Sequence, residues 1–338
     1  MFRHYAEVDF PAASAPLYAA IAREVAGDPD LLALVARRRP GQPAVNLLFA
    51  AVHYLLLSGA AHPLAAYYPD LTDAPLPRGE AYPQFRAFCA EHAASIVEIV
   101  GSRLVQTNVL ERCGLLLPAF AAAAKALGGT ELAMIEIGAS AGLNLLWDRY
   151  FYDYGAFTWG DPASAVWLEI EVRGSASLPV IPPDLRAGWR AGIDLDPVDL
   201  LDADATLWQR ALMWPERRDR QRRIDAVLPI VRADPARVVA GDACDKLAAL
   251  LQEAPASRPL CLLASYSLYQ FSPDACDRLF EIIEAHAAAR PVALVTVDLA
   301  RIGDAYGSVA LTIFEGGARR ETLLARGHPH GNWIEWLR

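Results

Sequence analysis

The sequence predicts an α/β protein with a helical N-terminal region. About 130 N-terminal residues form Ala- and Leu-rich helical patterns broken at turn signals. Short apolar runs then alternate with further helical patterns, which is typical of βαβ units and a mostly parallel sheet. Near the C-terminus, two alternating runs flank Glu315-Gly316-Gly317, as in a late antiparallel hairpin. We predict a helical domain over 1–129 and an α/β domain over 130–338, with an insertion at about 151–190.

Composition excludes several classes of protein. The chain has 338 residues, of which 54% are hydrophobic and 21% charged, so it can bury a large core and is not disordered. Its net charge of −9 argues against general nucleic-acid binding, which needs an excess of Lys and Arg. The five cysteines include no C-x-x-C pair, and the N-terminus lacks the apolar segment of a signal peptide. We therefore predict a cytoplasmic, bacterial-type enzyme; the charge balance says little about small-molecule substrates.

The N-terminal helices include one segment that resembles a membrane span. Residues 40–69 contain no charged side chain, but Asn46, His53 and Pro63 interrupt the run. A spanning helix needs about 20 predominantly apolar residues. We predict a buried helix at 44–57 and no membrane segment. The other helices predicted in this region cover 14–26, 29–38, 82–91, 93–100 and 115–127.

Beyond residue 130, the strand–helix alternation is regular. Strands are predicted at 132–137, 166–172, 191–195, 238–240, 260–264 and 292–297, and helices at 217–231 and 273–289. Parallel strands connected by helices bring their carboxyl ends to one edge of a sheet, where ligands bind. Polar residues that follow these strands are therefore candidate site residues.

The most informative segment is MIEIGASAGLN, residues 134–144. A buried strand delivers Glu136, and a loop of small residues then leads into a helix that begins near Leu143. Small residues let the backbone approach a ligand, and a helix start offers unpaired N–H groups. The spacing matches neither G-x-G-x-x-G nor a P-loop, and Glu136 would repel a phosphate. A ligand with an amine and hydroxyls, such as S-adenosylmethionine, fits better. A tight turn without a ligand is the alternative. The candidate cofactor-binding residues here are Glu136, Gly138, Ala139, Ser140, Gly142 and Asn144.

Two further acids follow strand ends. Asp194 closes a strand in AGIDLDP, where a carboxylate can bind ribose hydroxyls, and Asp242 follows a strand in VVAGDA, where it can bind an adenine amino group. Each could instead cap a helix or turn. The ribose-binding acid usually lies about 20 residues after the glycine loop, which makes Glu169 or Glu171 of WLEIEVRG an alternative to Asp194. Ala243 and Ser265 complete the predicted cofactor-binding residues.

The order EIGASAGLN, GIDLDP, GDA and a late hairpin resembles the class I S-adenosylmethionine-dependent methyltransferase fold. More specifically, the chain resembles the uncharacterised bacterial family called domain of unknown function 2332, over nearly its whole length. The resemblance implies a Rossmann-like methyltransferase sheet and, with it, S-adenosylmethionine as cofactor and methyl transfer to an unknown small molecule. The residues that carry it are 106–108, 136–144, 148–150, 192–197, 214–215, 241–243, 328–331 and Trp336.

The remaining candidates concern catalysis and substrate. Tyr266 follows a predicted strand, and His330 lies near the C-terminus, so both are candidates for proton transfer. Gln106 and Asn108 are polar residues in an apolar helical region and are candidates for substrate binding. We expect the helical domain to cover the cofactor, with both side chains facing it. His328 and His330 have no third ligand at metal spacing, so no metal site is predicted.

Two alternative functions stay open. GASAG matches the G-x-S-x-G string of serine hydrolases, with Ser140 as nucleophile and His330 late enough to serve as base. Against this, Glu136 and the small residues favour a cofactor loop, so we predict that Ser140 is not a nucleophile. The other alternative is a non-catalytic protein that binds an adenosine ligand on a degenerate methyltransferase fold. The lack of a clear catalytic base in the sequence favours it.

Overall fold

The computed structural model describes residues 1–12, 14–106, 108–299 and 307–338. It shows a mixed α/β protein with a large, mostly parallel central sheet, which confirms the predicted class at that level. No helix in these ranges is both long and apolar enough to cross a bilayer. The α-helices are α1 (Phe2–His4), α2 (Phe10–Ala12), α3 (Pro16–Val25), α4 (Pro29–Leu34), α5 (Ala44–Leu57), α6 (Ala81–Glu91), α7 (Ala93–Ser102), α8 (Cys113–Leu127), α9 (Ala203–Ala211), α10 (Arg218–Ala233), α11 (Ala243–Glu253) and α12 (Pro273–Ala287).

The central sheet has nine strands in the order β5-β12-β11-β10-β9-β8-β1-β6-β7. The five strands from β9 to β7 run parallel, so their carboxyl ends lie at one edge. The predicted hairpin is confirmed, because β10 and β11 pair antiparallel around Gly316-Gly317. The strands are β1 (Glu131–Ile137), β2 (Phe151–Asp153), β3 (Thr158–Trp159), β4 (Trp167–Glu169), β5 (Glu171–Arg173), β6 (Arg186–Asp194), β7 (Arg237–Ala240), β8 (Leu260–Ser265), β9 (Val292–Leu299), β10 (Gly307–Glu315), β11 (Ala318–Gly327) and β12 (Trp333–Trp336).

The chain forms two compact units. The helical unit comprises Met1–Thr107 and Leu200–Leu228, and the sheet unit comprises Asn108–Asp199 and Pro229–Arg338. In the helical unit, α5 matches the predicted helix at 44–57 and is largely buried, with Leu47 fully enclosed. The division differs from the predicted boundary at residue 129, because the apolar helix α8 packs against β9 and β10 of the sheet.

The segment 151–190, which we predict to be an insertion, lies in the sheet unit. Within it, β2, β3 and β4 form a separate three-stranded sheet, whereas β5 joins the edge of the central sheet beside β12. The single strand predicted at 166–172 is therefore two strands, because the chain changes sheets at buried Ile170. On one face of the central sheet, α11 and α12 pack over β1 and β8 through residues such as Leu247, Ile283 and Ile135. This packing fixes β1, the strand that delivers Glu136.

Candidate functional site

The candidate site lies at the carboxyl end of β1, where the strand order of the sheet reverses. From β1, the chain order continues to β6 and β7 on one side and to β8 and β9 on the other. Ligands of open α/β sheets bind in the crevice at such a switch point. Ile137, the last residue of β1, is paired with Ile193 on one side and Ala264 on the other. The ends of three strands therefore meet beside the loop 138–142.

The loop 138–142 is a closed turn, because each of its backbone N–H groups already has an acceptor in the protein. These bonds are Gly138 N and Ala139 N to Ile193 O (2.8 and 3.0 Å), Ser140 N to Asp194 Oδ2 (2.8 Å), Ala141 N to Asn108 Oδ1 (3.1 Å) and Gly142 N to Ala139 O (2.7 Å). A phosphate would have to displace them, so the loop is not a ready-made anion cradle. The predicted helix after the loop is a 3-10 helix, Leu143–Arg149.

The loop glycines are required by the protein's own packing. Gly138 and Gly142 have φ of +77° and +71°, which other residues rarely adopt. A Cβ on Gly138 would lie 2.5 Å from Ser267 Cβ, and one on Gly142 would lie 2.8 Å from Ala236 Cβ. The tight-turn interpretation therefore accounts for both glycines without a ligand. Ser140, at φ +49°, also adopts the left-handed region.

The two predicted acids at the ends of β6 and β7 both bind backbone. The Asp194 carboxylate accepts bonds from Ser140 N at 2.8 Å and Asp196 N at 2.9 Å. Asp242 is exposed and caps α11 by accepting a bond from Cys244 N at 2.8 Å. Asp194 is paired with Ala240 of β7, so both acids lie at the same sheet edge as the loop.

The alternative ribose acids lie elsewhere in the sheet unit. Glu169 is part of the small sheet, and Glu171 is on β5 at the far edge of the central sheet, bonded to Arg173. The strands beside β1 are β8 and β6, and β6 is the next of the two in the chain. Its carboxyl end carries Asp194, so the topology favours Asp194 over Glu169 and Glu171.

Glu136 is a buried carboxyl group with one unbonded oxygen. The residue is 1% exposed, and its Oε1 accepts a bond from Asn144 Nδ2 at 2.7 Å. The amide of Asn144 is oriented by the Cys113 thiol, which donates to Asn144 Oδ1 at 3.6 Å. Glu136 Oε2 is buried and has no hydrogen-bond partner in the described ranges. Burial raises the pKa of Glu136 to about 8, although Asn144 and Arg112 lower it.

The end of β8 places two further polar groups at this edge. Ser265 Oγ and the Tyr266 hydroxyl are buried, and neither has a hydrogen-bond partner among the described residues. Tyr266 adopts φ +53°, uncommon for a residue with a side chain, and its N–H donates to Val297 O at 2.7 Å. Burial raises the pKa of Tyr266 to about 12. At neutral pH Tyr266 keeps its proton and can donate a hydrogen bond.

Arg112 is a site residue that the sequence argument missed. Its guanidinium lies over the Tyr266 ring, 4.3 Å from the centroid, and its Nε donates to Pro329 O at 2.9 Å. Pro329 belongs to the segment 328–331, which ends at Gly331. A Cβ on Gly331 would lie 2.0 Å from Glu111 O, so close packing of this segment against 111–112 requires a glycine. A sequence signal existed, because Glu111 and Arg112 are the only charged residues between positions 104 and 124.

The other predicted residues are placed as follows. Asn108 lies against the loop, where its Nδ2 donates to Ser140 Oγ at 3.2 Å. Gln106 belongs to the helical unit, and its position facing the loop stays a prediction. His330 N donates to His328 Nδ1 at 3.1 Å, next to the Pro329 carbonyl that holds Arg112. Within the described ranges, no three His, Cys, Asp or Glu side chains are arranged to hold a metal ion.

Comparison with known families gives one match. A model of the family described as "Uncharacterized protein conserved in bacteria (DUF2332)" matches residues 1–336. A comparison with curated proteins returned no match.

Proposed function

The chain belongs to the bacterial family DUF2332, and from this premise we propose that it binds S-adenosylmethionine and transfers its methyl group to a small molecule. The binding site would be the carboxyl edge of β1, β6 and β8. The parallel strands follow the order β7-β6-β1-β8-β9, which supports a Rossmann-like arrangement with its crevice beside β1.

The observation that carries this proposal is the unbonded oxygen of Glu136. A buried polar atom without a partner costs about 1–3 kcal/mol, which a ligand that donates a hydrogen bond would recover. The ammonium group of S-adenosylmethionine is such a donor. Its positive charge would favour the ionised form of Glu136, whose pKa burial raises to about 8 in the free protein. Asp194 carries carboxylate oxygens for ribose hydroxyls, and buried Ser265 Oγ offers a third polar contact. The side chains at this edge therefore fit the chemistry of the group.

The occupied loop amides distinguish this ligand from nucleotides that bind through phosphates. All five N–H groups of 138–142 donate to protein acceptors. Together with the Asp194 carboxylate, which binds Ser140 N of the loop, this arrangement disfavours a phosphate at the loop. It agrees with a ligand that presents an amine and hydroxyls.

When bound, S-adenosylmethionine supplies an electrophilic methyl group. The chain's own contribution is to orient the acceptor and exclude water. Tyr266, with a pKa of about 12, would donate a hydrogen bond to the acceptor at neutral pH. His330 is the candidate to take a proton from the methyl acceptor.

The test is a ligand-dependent melting shift. We expect S-adenosylmethionine and S-adenosylhomocysteine to stabilise the protein by about 2.7 kcal/mol at 100 times the dissociation constant, whereas NAD and ATP leave the melting temperature unchanged. Glu136→Gln should lose most of this shift. Glu131→Gln, at the other end of the same strand, is the matched control and should keep it. The proposal fails if neither S-adenosylmethionine nor S-adenosylhomocysteine shifts the melting temperature, or if ATP shifts it equally.

A further inference from the structure

Arg112 is fixed in place, but among the described residues no carboxylate lies close enough to form an ion pair with it. Its guanidinium stacks on Tyr266 at 4.3 Å, and its Nε is bonded to Pro329 O. An arginine has five N–H donors, and with Nε bonded to Pro329 O, the four donors on the two Nη nitrogens remain to be accounted for. In the part of the chain that the structure describes, these four donate no hydrogen bond, and no carboxylate lies within 4.0 Å of them.

Two other arginines of the sheet unit have carboxylates at ion-pair distance. Arg190 lies 3.2 Å from Asp148, and Arg149 lies 2.8 Å from Asp234. Arg112 is partly buried, so its charge is only partly hydrated, and it has no carboxylate at ion-pair distance as these two arginines have. Stacking on an aromatic ring recovers part of the lost hydration. An arginine held in this way has its Nη donors available to an anionic ligand.

We infer that Arg112 is a carboxylate-binding residue, whose Nη edge takes a carboxylate group of the ligand bound at the carboxyl end of β1. The planar fork of a guanidinium binds a carboxylate through two parallel hydrogen bonds. With Nε held by Pro329 O and the plane set by Tyr266, the direction of this fork is fixed before the ligand arrives. This preorganisation lowers the entropic cost of binding.

The same residues give a role to the segment His328-Pro329-His330-Gly331. Its Pro329 carbonyl holds Arg112, and Gly331 allows the close approach to Glu111. The segment therefore acts as a positioning element for the guanidinium. Placing the carboxylate at the end of β1 rests on the proposed function. The carboxylate could belong either to the amino-acid end of S-adenosylmethionine or to the methyl acceptor.

The experiment measures how fast phenylglyoxal modifies Arg112 in the full-length wild-type protein. The reagent attacks guanidinium nitrogens, and peptide mass spectrometry reports the modification of each arginine. Acetate is the carboxylate probe, and acetamide, which has nearly the same shape and no charge, is the control; sodium chloride equalises the ionic strength. We expect acetate to slow the modification of Arg112 several-fold and acetamide to leave it unchanged. Arg149, already paired with Asp234, is the internal control and should respond equally to both.

A second pair of probes identifies the source of the carboxylate. S-adenosylhomocysteine carries an amino-acid end, and 5′-methylthioadenosine lacks it. Protection of Arg112 by the first and not the second assigns the carboxylate to the cofactor. Protection by acetate that persists with S-adenosylhomocysteine bound assigns it to the acceptor.

Two results would overturn the inference. One is equal modification of Arg112 in acetate and acetamide. The other is no modification of Arg112 in the free protein, because an Nη edge closed to phenylglyoxal is also closed to a ligand. Failure of the proposed function gives a different result. In that case neither S-adenosylmethionine nor S-adenosylhomocysteine shifts the melting temperature, while acetate still protects Arg112.

Discussion

Replacing Glu136 by Gln should stabilise the protein, and increasingly so as the pH rises. Burial raises the pKa of Glu136 to about 8, from an ordinary value of 4.5. Between these two pH values, Glu136 holds a proton in the folded protein and releases it in the unfolded protein. The wild-type free energy of unfolding is therefore highest, with respect to this group, below about pH 4.5, and it falls as the pH rises to about 8. At 1.36 kcal/mol per pKa unit, the loss reaches about 3 kcal/mol at pH 7. Gln keeps the shape of Glu136 and an oxygen that accepts the Asn144 bond, but it does not ionise.

The assay is urea unfolding followed by tryptophan fluorescence at about pH 5 and about pH 8. The free energy of unfolding of Glu136→Gln should be near that of the wild type at the lower pH and exceed it by several kcal/mol at the higher pH. Glu131→Gln is the matched control on the same strand. Although burial raises the pKa of Glu131, its pairs with Arg258 and Arg186 hold it below the ordinary value. Its substitution should therefore cost stability above that pKa and lose the effect in acid.

An identical pH dependence of stability in Glu136→Gln and the wild type would refute this reasoning. If the variant gains free energy of unfolding as predicted and also loses the melting shift with S-adenosylhomocysteine, the ionisable carboxyl group lowers stability but is needed for ligand binding. Functional sites commonly lower the stability of a protein in this way.

Three further predictions concern other parts of the chain. In the helical unit, burial raises the pKa of Asp70, but its 2.7 Å bond with His53 outweighs this and lowers it. Asp70→Asn should therefore lower the free energy of unfolding by about 1–3 kcal/mol at neutral pH, and this loss should vanish as the pH falls through the pKa of Asp70. Equal losses in urea unfolding at neutral and acid pH would contradict this. A fluorophosphonate probe should not label Ser140, and labelling that Ser140→Ala abolishes would restore the hydrolase alternative. Gly138→Ala should lower the melting temperature more than Gly316→Ala, because both have positive φ but an added Cβ meets another side chain at 2.5 Å only at Gly138; equal losses would show that the close contact relaxes without cost.

Several elements were predictable because their signals are local. The helix at 44–57 follows from a predominantly apolar pattern without charged residues, and its observed bounds are Ala44–Leu57. The hairpin follows from Gly316-Gly317, since both residues adopt positive φ, at 58° and 78°. The loop 138–142 also has a local signal, because small residues between a buried strand and a helix predict a loop there; a cofactor loop is the favoured interpretation and a tight turn the alternative.

Other features depend on which distant segments pack together, and local patterns do not encode that. The segment WLEIEVRG has a strand pattern throughout, yet it divides at Ile170 because its two halves pair with different sheets. One neighbour of β1 is β6, and this pairing favours Asp194 over the two earlier acids as the predicted ribose-binding residue.

Arg112 shows the same limit at the site. Its sequence neighbourhood predicts only a charged residue in an apolar stretch, whereas Pro329, which orients it, is 217 positions away. The sequence by itself determined the class of fold, the central turn and the acids that follow the strands. Tertiary structure decided that Glu136 keeps an unbonded oxygen, and that Arg112 has no carboxylate at ion-pair distance, among the residues that the structure describes. Burial and pairing exist only once distant segments are packed together.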